Sequence, residues 1–212
     1  MPALPFLFIL LALGGAGVAA EVQPLFAENF EKAEAGKVPA GLLVMSGGFV
    51  AVEAEGSKVL ELPGAPLDTF GVLFGPEAKA PVGASARFLG TKTGRKLPAF
   101  GISLGGAGGY RVQVSPGKRA LEVCKGDESL ANVPHEWTSG AWTRVRVQLL
   151  KGNTGKWQVQ GKAWPDGAAE PAAWMIQVEI EAEPAAGRAG IWGNPFSGTP
   201  IQFDDLLVLP AQ

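Results

Sequence analysis

Apolar and polar residues alternate with a period of two along much of the chain beyond residue 21, whereas helical periodicity is scarce. Successive side chains of a strand point to opposite faces, so this alternation predicts short strands with one apolar, buried face and one polar face. The clearest case is 143–149, where every second residue is aliphatic. Val145, Val147 and Leu149 fall on one face, and Arg144, Arg146 and Gln148 fall on the other.

A second alternating segment, 157–164, follows a Gly-Asn-Thr-Gly turn at 152–155. Its apolar positions are Trp157, Val159, Gly161 and Ala163, and Trp164 lies at a polar position. The two segments together predict an antiparallel hairpin with one buried and one solvated face. The solvated face supplies six candidate ligand-binding residues: Arg144, Arg146, Gln148, Gln160, Lys162 and Trp164.

Other short alternating or apolar runs are separated by turn residues throughout the chain. They span 48–54, 58–62, 70–74, 83–89, 99–104, 110–114, 120–124, 174–180 and 201–209. With the hairpin they make roughly twelve strands, the number and spacing typical of an antiparallel two-sheet jelly-roll sandwich. No low-complexity linker divides them, so we expect one all-β domain from residue 21 to residue 212.

Composition narrows the possible partners. The chain has 212 residues, a formal net charge of −2 and no basic run longer than a pair. A nucleic-acid surface needs a denser positive field, so nucleic acid is not an expected partner. Cys124 is the only cysteine, so the fold must hold without an internal disulfide, and His135 is the only histidine. One residue of each kind is too few for a zinc site.

The first twenty residues have the features of a signal peptide. Residues 1–20 carry no charged side chain, 4–13 form an apolar run, and Val18-Ala19-Ala20 offers small residues at a cleavage site. The run is shorter than a membrane-spanning helix requires. We therefore expect export to the periplasm or the extracellular space with cleavage after Ala20, leaving no membrane span. Retention as an uncleaved anchor is the alternative.

Four motifs in the C-terminal third carry a resemblance to a known family. They are Lys-Ala-Trp-Pro-Asp-Gly at 162–167, Glu-Pro-Ala-Ala-Trp at 170–174, Ala-Gly-Ile-Trp-Gly at 189–193 and Phe-Asp-Asp at 203–205. Glu-Asn-Phe-Glu at 28–31 adds the opening of a first strand. The pattern resembles concanavalin A-like lectin/glucanase domains, LamG-like jelly rolls of bacterial secreted proteins. Similarity to 3-keto-disaccharide hydrolase-like domains is more distant.

The resemblance implies association with a polysaccharide or another glycan, without catalysis, as the leading function. A fold alone says little about chemistry, so two alternatives stay open. One is a jelly-roll glycoside hydrolase or lyase that uses Glu179, Glu181 and Glu183, which would line up on one strand face and supply the paired carboxylates that glycoside hydrolysis needs. The other is a structural surface domain.

Exposed tryptophans are further candidates for sugar stacking. Trp164 is expected on the polar hairpin face, and Trp192 is expected in a loop between glycines, so we add Trp192 to the candidate ligand-binding residues.

A structural calcium ion is also expected from the resemblance, because related jelly rolls bind one where the first and last strands meet. The candidate ligands are Glu28, Asp204 and Asp205. Alternation would place Phe203 and Asp205 on one face of the last strand and Asp204 on the other. Only one aspartate would then reach a shared site, and we favour Asp204.

Overall fold

The alternating segments form fifteen strands in a computed structural model that describes residues 23–64 and 68–211. The predicted signal peptide lies outside the described residues. One 3-10 turn, Pro116–Lys118, accompanies the strands. The strands are β1 (Phe26–Glu28), β2 (Leu43–Ser46), β3 (Val50–Ala54), β4 (Ser57–Leu62), β5 (Phe70–Ala78), β6 (Val82–Leu89), β7 (Ala99–Leu104), β8 (Tyr110–Ser115), β9 (Ala120–Lys125), β10 (Glu128–Pro134), β11 (Thr143–Lys151), β12 (Trp157–Pro165), β13 (Ile176–Ile180), β14 (Gly187–Asn194) and β15 (Ile201–Pro210).

These strands build two antiparallel sheets that pack face to face. The eight-stranded sheet has the order β13-β12-β11-β6-β15-β4-β3, with β1 paired to β15. The seven-stranded sheet has the order β10-β9-β8-β7-β14-β5-β2. The jelly-roll sandwich predicted from the alternation is confirmed. Within the described residues, no helix is long and apolar enough to span a membrane.

The core lies between the two sheets and is made by the apolar positions of each alternation. Val145, Val147 and Leu149 are at most 1% exposed. Phe88 of the eight-stranded sheet stacks on Phe100 of the seven-stranded sheet at a centroid distance of 5.2 Å. Burial of a side chain of this size stabilises the folded state by roughly 1.5–3 kcal/mol. The apolar positions therefore determine which face of each strand points into the core.

The predicted hairpin is present as β11 and β12, in the predicted phase, with Arg144 opposite Trp164 and Gln148 opposite Gln160. The residue pattern did not predict three of the strands, β2, β10 and β14. β2 is only four residues long, β10 has no regular alternation, and β14 has glycine at every third position, which hides its alternation. The expectation that Trp192 lies in a loop is wrong: it lies in β14, paired with Gly71 and Gly101.

The two ends of the described chain meet in the eight-stranded sheet, as expected. Phe26 of β1 pairs with Val208 of β15. On its other edge β15 pairs with β6, but the register shifts between Asp204 and Leu207, and Asp205 has a positive φ of 49°. This β-bulge interrupts the alternation at the two aspartates.

Candidate functional site

The predicted polar face exists on the outside of the eight-stranded sheet, but the expectation that it is solvated is wrong. Its side chains bind one another, and four of them are at most 8% exposed: Arg146, Gln148, Gln160 and Lys162. Arg146 and Lys162 both contact Glu170, at 2.9 Å and 2.7 Å. Lys162 Nζ also donates to the Pro171 carbonyl, and it lies 4.6 Å from the Trp174 ring centroid. The 166–175 connection therefore folds back onto this part of the face.

Glutamines continue the same face towards the sheet edge. Gln148 Nε2 donates to Gln160 Oε1 at 2.7 Å, and Gln160 Nε2 donates to Gln177 Oε1 at 2.6 Å. Trp164 lies on this face as predicted but is only 6% exposed, so the expected exposed ring is not observed. Whether these residues bind a ligand stays a prediction.

Five charged side chains meet where β6, β11 and β15 run side by side. The preference for Asp204 as the aspartate that reaches the site shared with Glu28 is wrong, because Asp205 lines a cavity with Glu28 and Asp204 does not. The bulge brings both aspartates to Arg87. Arg87 pairs with Asp204 at 2.5 Å, and Arg144 pairs with Asp205 at 2.9 Å and with Asp166 at 2.5 Å. Burial raises the pKa of Asp204 above its ordinary value, and the hydrogen bond from Arg87 offsets that only in part.

This arrangement does not support the expected calcium ion. Glu28 and Asp205 line one cavity, but Asp205 is engaged by Arg144, and Glu28 Oε1 accepts the Phe30 N–H at 2.7 Å. Asp204 does not line that cavity. Among residues 23–64 and 68–211, no group of three or more His, Cys, Asp or Glu side chains is placed to hold a metal.

The three glutamates considered for hydrolysis do not share a strand face, because β13 ends at Ile180. Glu179 is on the strand, whereas Glu181 and Glu183 follow it. All three are exposed, and lysines pair with them: Lys156 with Glu179 and Glu181, and Lys79 with Glu183. The strand alignment on which the hydrolase alternative depended is wrong.

Trp192 forms a flat aromatic surface on the outside of the seven-stranded sheet. A Cβ at Gly71 would lie 2.4 Å from its Cζ3, and a Cβ at Gly190 would lie 3.1 Å from its Nε1. The indole therefore lies across the strand surface on backbone that has no side chains. Nε1 donates to Ser103 Oγ at 2.7 Å and fixes the ring orientation. The ring is partly exposed, and the guanidinium of Arg111 lies over it.

A cavity of about 290 Å³, lined by both apolar and polar residues, lies on the same sheet face. Arg111 lines it and lies 5.7 Å from the Trp192 ring centroid, and Asn194 lines it two residues after Trp192. Phe196, 39% exposed, also lines it. The remaining lining residues are Thr69, Leu97, Pro98, Ala99, Gln113, Ser115, Gly117, Lys118, Glu122, Cys124, Asp127 and Ser129.

A hydrogen-bond network fixes the polar floor of the cavity. Glu122, 1% exposed, accepts from Ser115 at 2.5 Å, from Ser129 at 2.8 Å and from Lys118 at 2.9 Å. Gln113 Nε2 donates in turn to Ser115 Oγ. Burial alone would raise the pKa of Glu122, but these three hydrogen bonds outweigh it and lower the pKa below its ordinary value. Glu122 is thus an ionised acceptor that holds its neighbours in place.

Cys124 also lines the cavity and is buried. Burial raises the pKa of its thiol above the ordinary value, although the nearby Arg111 acts in the opposite direction. The protonated thiol therefore predominates at neutral pH, which is not the state of a nucleophilic cysteine.

Of the candidate ligand-binding residues, only Trp192 belongs to this face. Arg111, Gln113 and Asn194 were missed, although Arg111 and Gln113 alternate with apolar residues in β8. That alternation showed that they face outward, but only the strand order places them beside β14.

No protein-family model matches the chain, and no curated protein matches its sequence. Solved structures match its fold. The metal-free carbohydrate recognition domain of Emp46p has a TM-score of 0.64 at 8% identity, over 91% of this chain and 99% of that domain. A potassium-bound form of that domain also matches, with a TM-score of 0.56 at 10% identity, over 82% of this chain and 90% of that domain.

Two further matches come from other groups of proteins. The carbohydrate-binding module CBM66 from Bacillus subtilis has a TM-score of 0.55 at 11% identity, over 80% of this chain and 95% of the module. Lectin II from Ulex europaeus has a TM-score of 0.55 at 11% identity, over 90% of this chain and 100% of that chain. These likenesses establish a lectin-type jelly-roll fold, in agreement with the expected concanavalin A-like architecture.

Proposed function

We propose that the protein binds carbohydrate on the outer face of the seven-stranded sheet, with Trp192 as the stacking surface. The observation that carries this proposal is the partly exposed indole lying flat over Gly71 and Gly190, held by Ser103, next to a cavity that Arg111 lines. A sugar ring has an apolar C–H face and a rim of hydroxyls, so it needs a flat apolar surface flanked by polar groups.

The groups around Trp192 meet that requirement. Gln113 Nε2 donates to Ser115, which leaves the amide oxygen of Gln113 as an acceptor, and Arg111 offers charged donors. A few polar groups fixed around an apolar surface are typical of small-ligand sites. Support also comes from the fold, since solved structures that resemble this chain include carbohydrate recognition domains and a carbohydrate-binding module.

The test is a glycan array probed with the mature chain, followed by calorimetric titration of the best saccharide. Trp192→Ala should weaken binding about tenfold or more, the factor that corresponds to about 1.4 kcal/mol. Trp192→Phe, which keeps a smaller ring, should lose less. Equal affinity in the protein and in Trp192→Ala would contradict the proposal.

Trp164→Ala is the matched control, because Trp164 lies on the outer face of the other sheet. It should leave saccharide affinity unchanged. If Trp164→Ala abolishes binding in a folded variant and Trp192→Ala does not, the ligand binds the polar face of the β11–β12 hairpin instead.

We also propose that the protein is exported, on the evidence of the apolar segment 4–13 and the small residues at 18–20. Mass spectrometry of the mature protein should find an N-terminus at Glu21. A mature chain that still begins at Met1 would exclude cleavage.

A further inference from the structure

We propose that the saccharide bound at Trp192 is acidic, and that Arg111 pairs with its carboxylate. The inference rests on the proposed carbohydrate-binding function and specifies its ligand class. The guanidinium of Arg111 is the positive charge that lies beside the aromatic surface, 5.7 Å from the ring centroid of Trp192.

The strand register places Arg111 next to the groups that hold Trp192. Arg111 lies on β8, opposite Ser103 of β7, and Ser103 accepts the indole N–H. On its other side Arg111 is opposite Cys124 of β9. A sugar stacked on the exposed part of the indole would therefore have the guanidinium, which lies over the ring, as its immediate neighbour.

Within the described part of the chain Arg111 has no carboxylate partner, and its guanidinium makes a cation–π contact with Trp192. Arg87, Arg144 and Arg146 each pair with at least one carboxylate. For Arg111, by contrast, no ion pair occurs among residues 23–64 and 68–211. Its Nη2 donates to the Gly126 carbonyl at 3.2 Å, and its Nε is buried without a hydrogen-bond partner. A guanidinium has five N–H donors, so donors remain for a ligand.

The acidic residues of the cavity do not cancel this charge. Glu122 is held by Lys118, so those two charges neutralise each other. Asp127 lies on the exposed turn at the rim and forms no ion pair with Arg111. Asp127 opposes an anionic ligand only from the solvent side, where water screens it.

The shape of an acidic sugar matches this layout. A uronic acid carries its carboxylate at the edge of the pyranose ring, close to the ring plane. With the ring stacked on Trp192, the carboxylate would project along the sheet surface towards Arg111. A planar guanidinium binds a carboxylate through two parallel hydrogen bonds, which a neutral hydroxymethyl group cannot match.

The experiment compares oligogalacturonate and oligoglucuronate with their carboxyl-reduced, neutral forms, by calorimetry on the mature protein. The acidic form of at least one pair should bind about 10- to 100-fold more tightly, as expected of hydrogen bonds to a charged group. Arg111→Gln should remove that preference, and Arg111→Lys should restore part of it. Asp127→Asn should strengthen binding of the acidic form.

The outcomes separate this inference from the proposed function. If neutral saccharides bind at Trp192 and acidic forms gain nothing, the function stands and the acidic ligand is excluded. A preference that persists in Arg111→Gln would place the carboxylate elsewhere and overturn the role of Arg111. If no saccharide binds in a Trp192-dependent manner, the proposed function fails, and the inference fails with it.

Discussion

The six-membered ring of Trp192 occupies the space in which a side chain at Gly71 would stand. A Cβ at Gly71 would lie 2.4 Å from Cζ3, 2.5 Å from Cε3 and 2.9 Å from Cη2 of Trp192. Real Cβ atoms essentially never approach other atoms below 3.0 Å. Glycine at this position is therefore a condition for the flat orientation of the indole.

Gly71→Ala should displace the Trp192 ring and break its hydrogen bond to Ser103. We expect a loss of about 1–3 kcal/mol in the free energy of unfolding, the usual cost of overpacking. Saccharide affinity should also fall, because the stacking surface is tilted. Urea unfolding and calorimetric titration measure the two effects.

Gly108→Ala is the matched control, since a Cβ there would have no atom within 4 Å. It should change neither stability nor affinity. Equal behaviour of the two variants would show that Gly71 is not required by the ring of Trp192.

Arg87 and Asp204 form the most buried ion pair of the charged cluster. Their side chains are 22% and 2% exposed. Arg87→Met should destabilise the protein by about 3 kcal/mol, because it leaves a buried carboxylate without its partner. The double variant Arg87→Met/Asp204→Leu should recover part of that loss in urea unfolding.

A double-mutant cycle on Arg119 and Glu136 provides the comparison, because both side chains are more than three-quarters exposed. That pair should show almost no coupling. Additive effects at Arg87 and Asp204 would mean that the contact between them contributes no stability.

The hairpin and the core could be predicted because period-two alternation reports which face of a strand is buried. The inward and outward faces of β11 and β12 follow from it, and the connecting turn sets their register. Alternation fails where the backbone departs from the regular pleat. The bulge at Asp205 brings two adjacent aspartates to Arg87, and no pattern of residue types predicts it.

The candidate site was harder to predict, because its parts come from distant segments. Trp192 was recognised as a possible sugar contact, but the reason for its flat orientation lies at Gly71, on the neighbouring strand β5. Arg111 is brought beside it only by the order of β8, β7 and β14. Sequence alternation shows the face on which each residue lies, whereas only the strand order shows its neighbours across the sheet.

The melting temperature should be the same in excess calcium and in EDTA. The oxygens of Asp204 and Asp205 already accept hydrogen bonds from Arg87 and Arg144, so a cation would have to displace two guanidinium groups. If a site existed, calcium at 100 times its dissociation constant would add about 2.7 kcal/mol to the free energy of unfolding. Thermal unfolding detects such a change easily. A rise in melting temperature with calcium would contradict this prediction.

Glu122 should make stability depend on pH in the acidic range. Its pKa is lower in the folded protein than the ordinary value of about 4.5, because the hydrogen bonds from Ser115, Lys118 and Ser129 outweigh the effect of burial. A carboxyl with a lowered folded pKa binds its proton more readily in the unfolded chain. The contribution of Glu122 to stability is therefore fully present above the pKa of its carboxyl in the unfolded chain. That contribution is lost as the pH falls through the pKa in the folded protein.

Glu122→Gln should remove this contribution. The variant should be less stable at pH 7, and its free energy of unfolding should fall less steeply between pH 6 and pH 3 than that of the unmodified protein. Glu136→Gln, at an exposed ion pair, is the control and should keep the original slope. Other titrating groups are common to all three proteins, so the difference between the curves isolates Glu122. Parallel curves for Glu122→Gln and the unmodified protein would show that the network around Glu122 does not favour the ionised carboxylate.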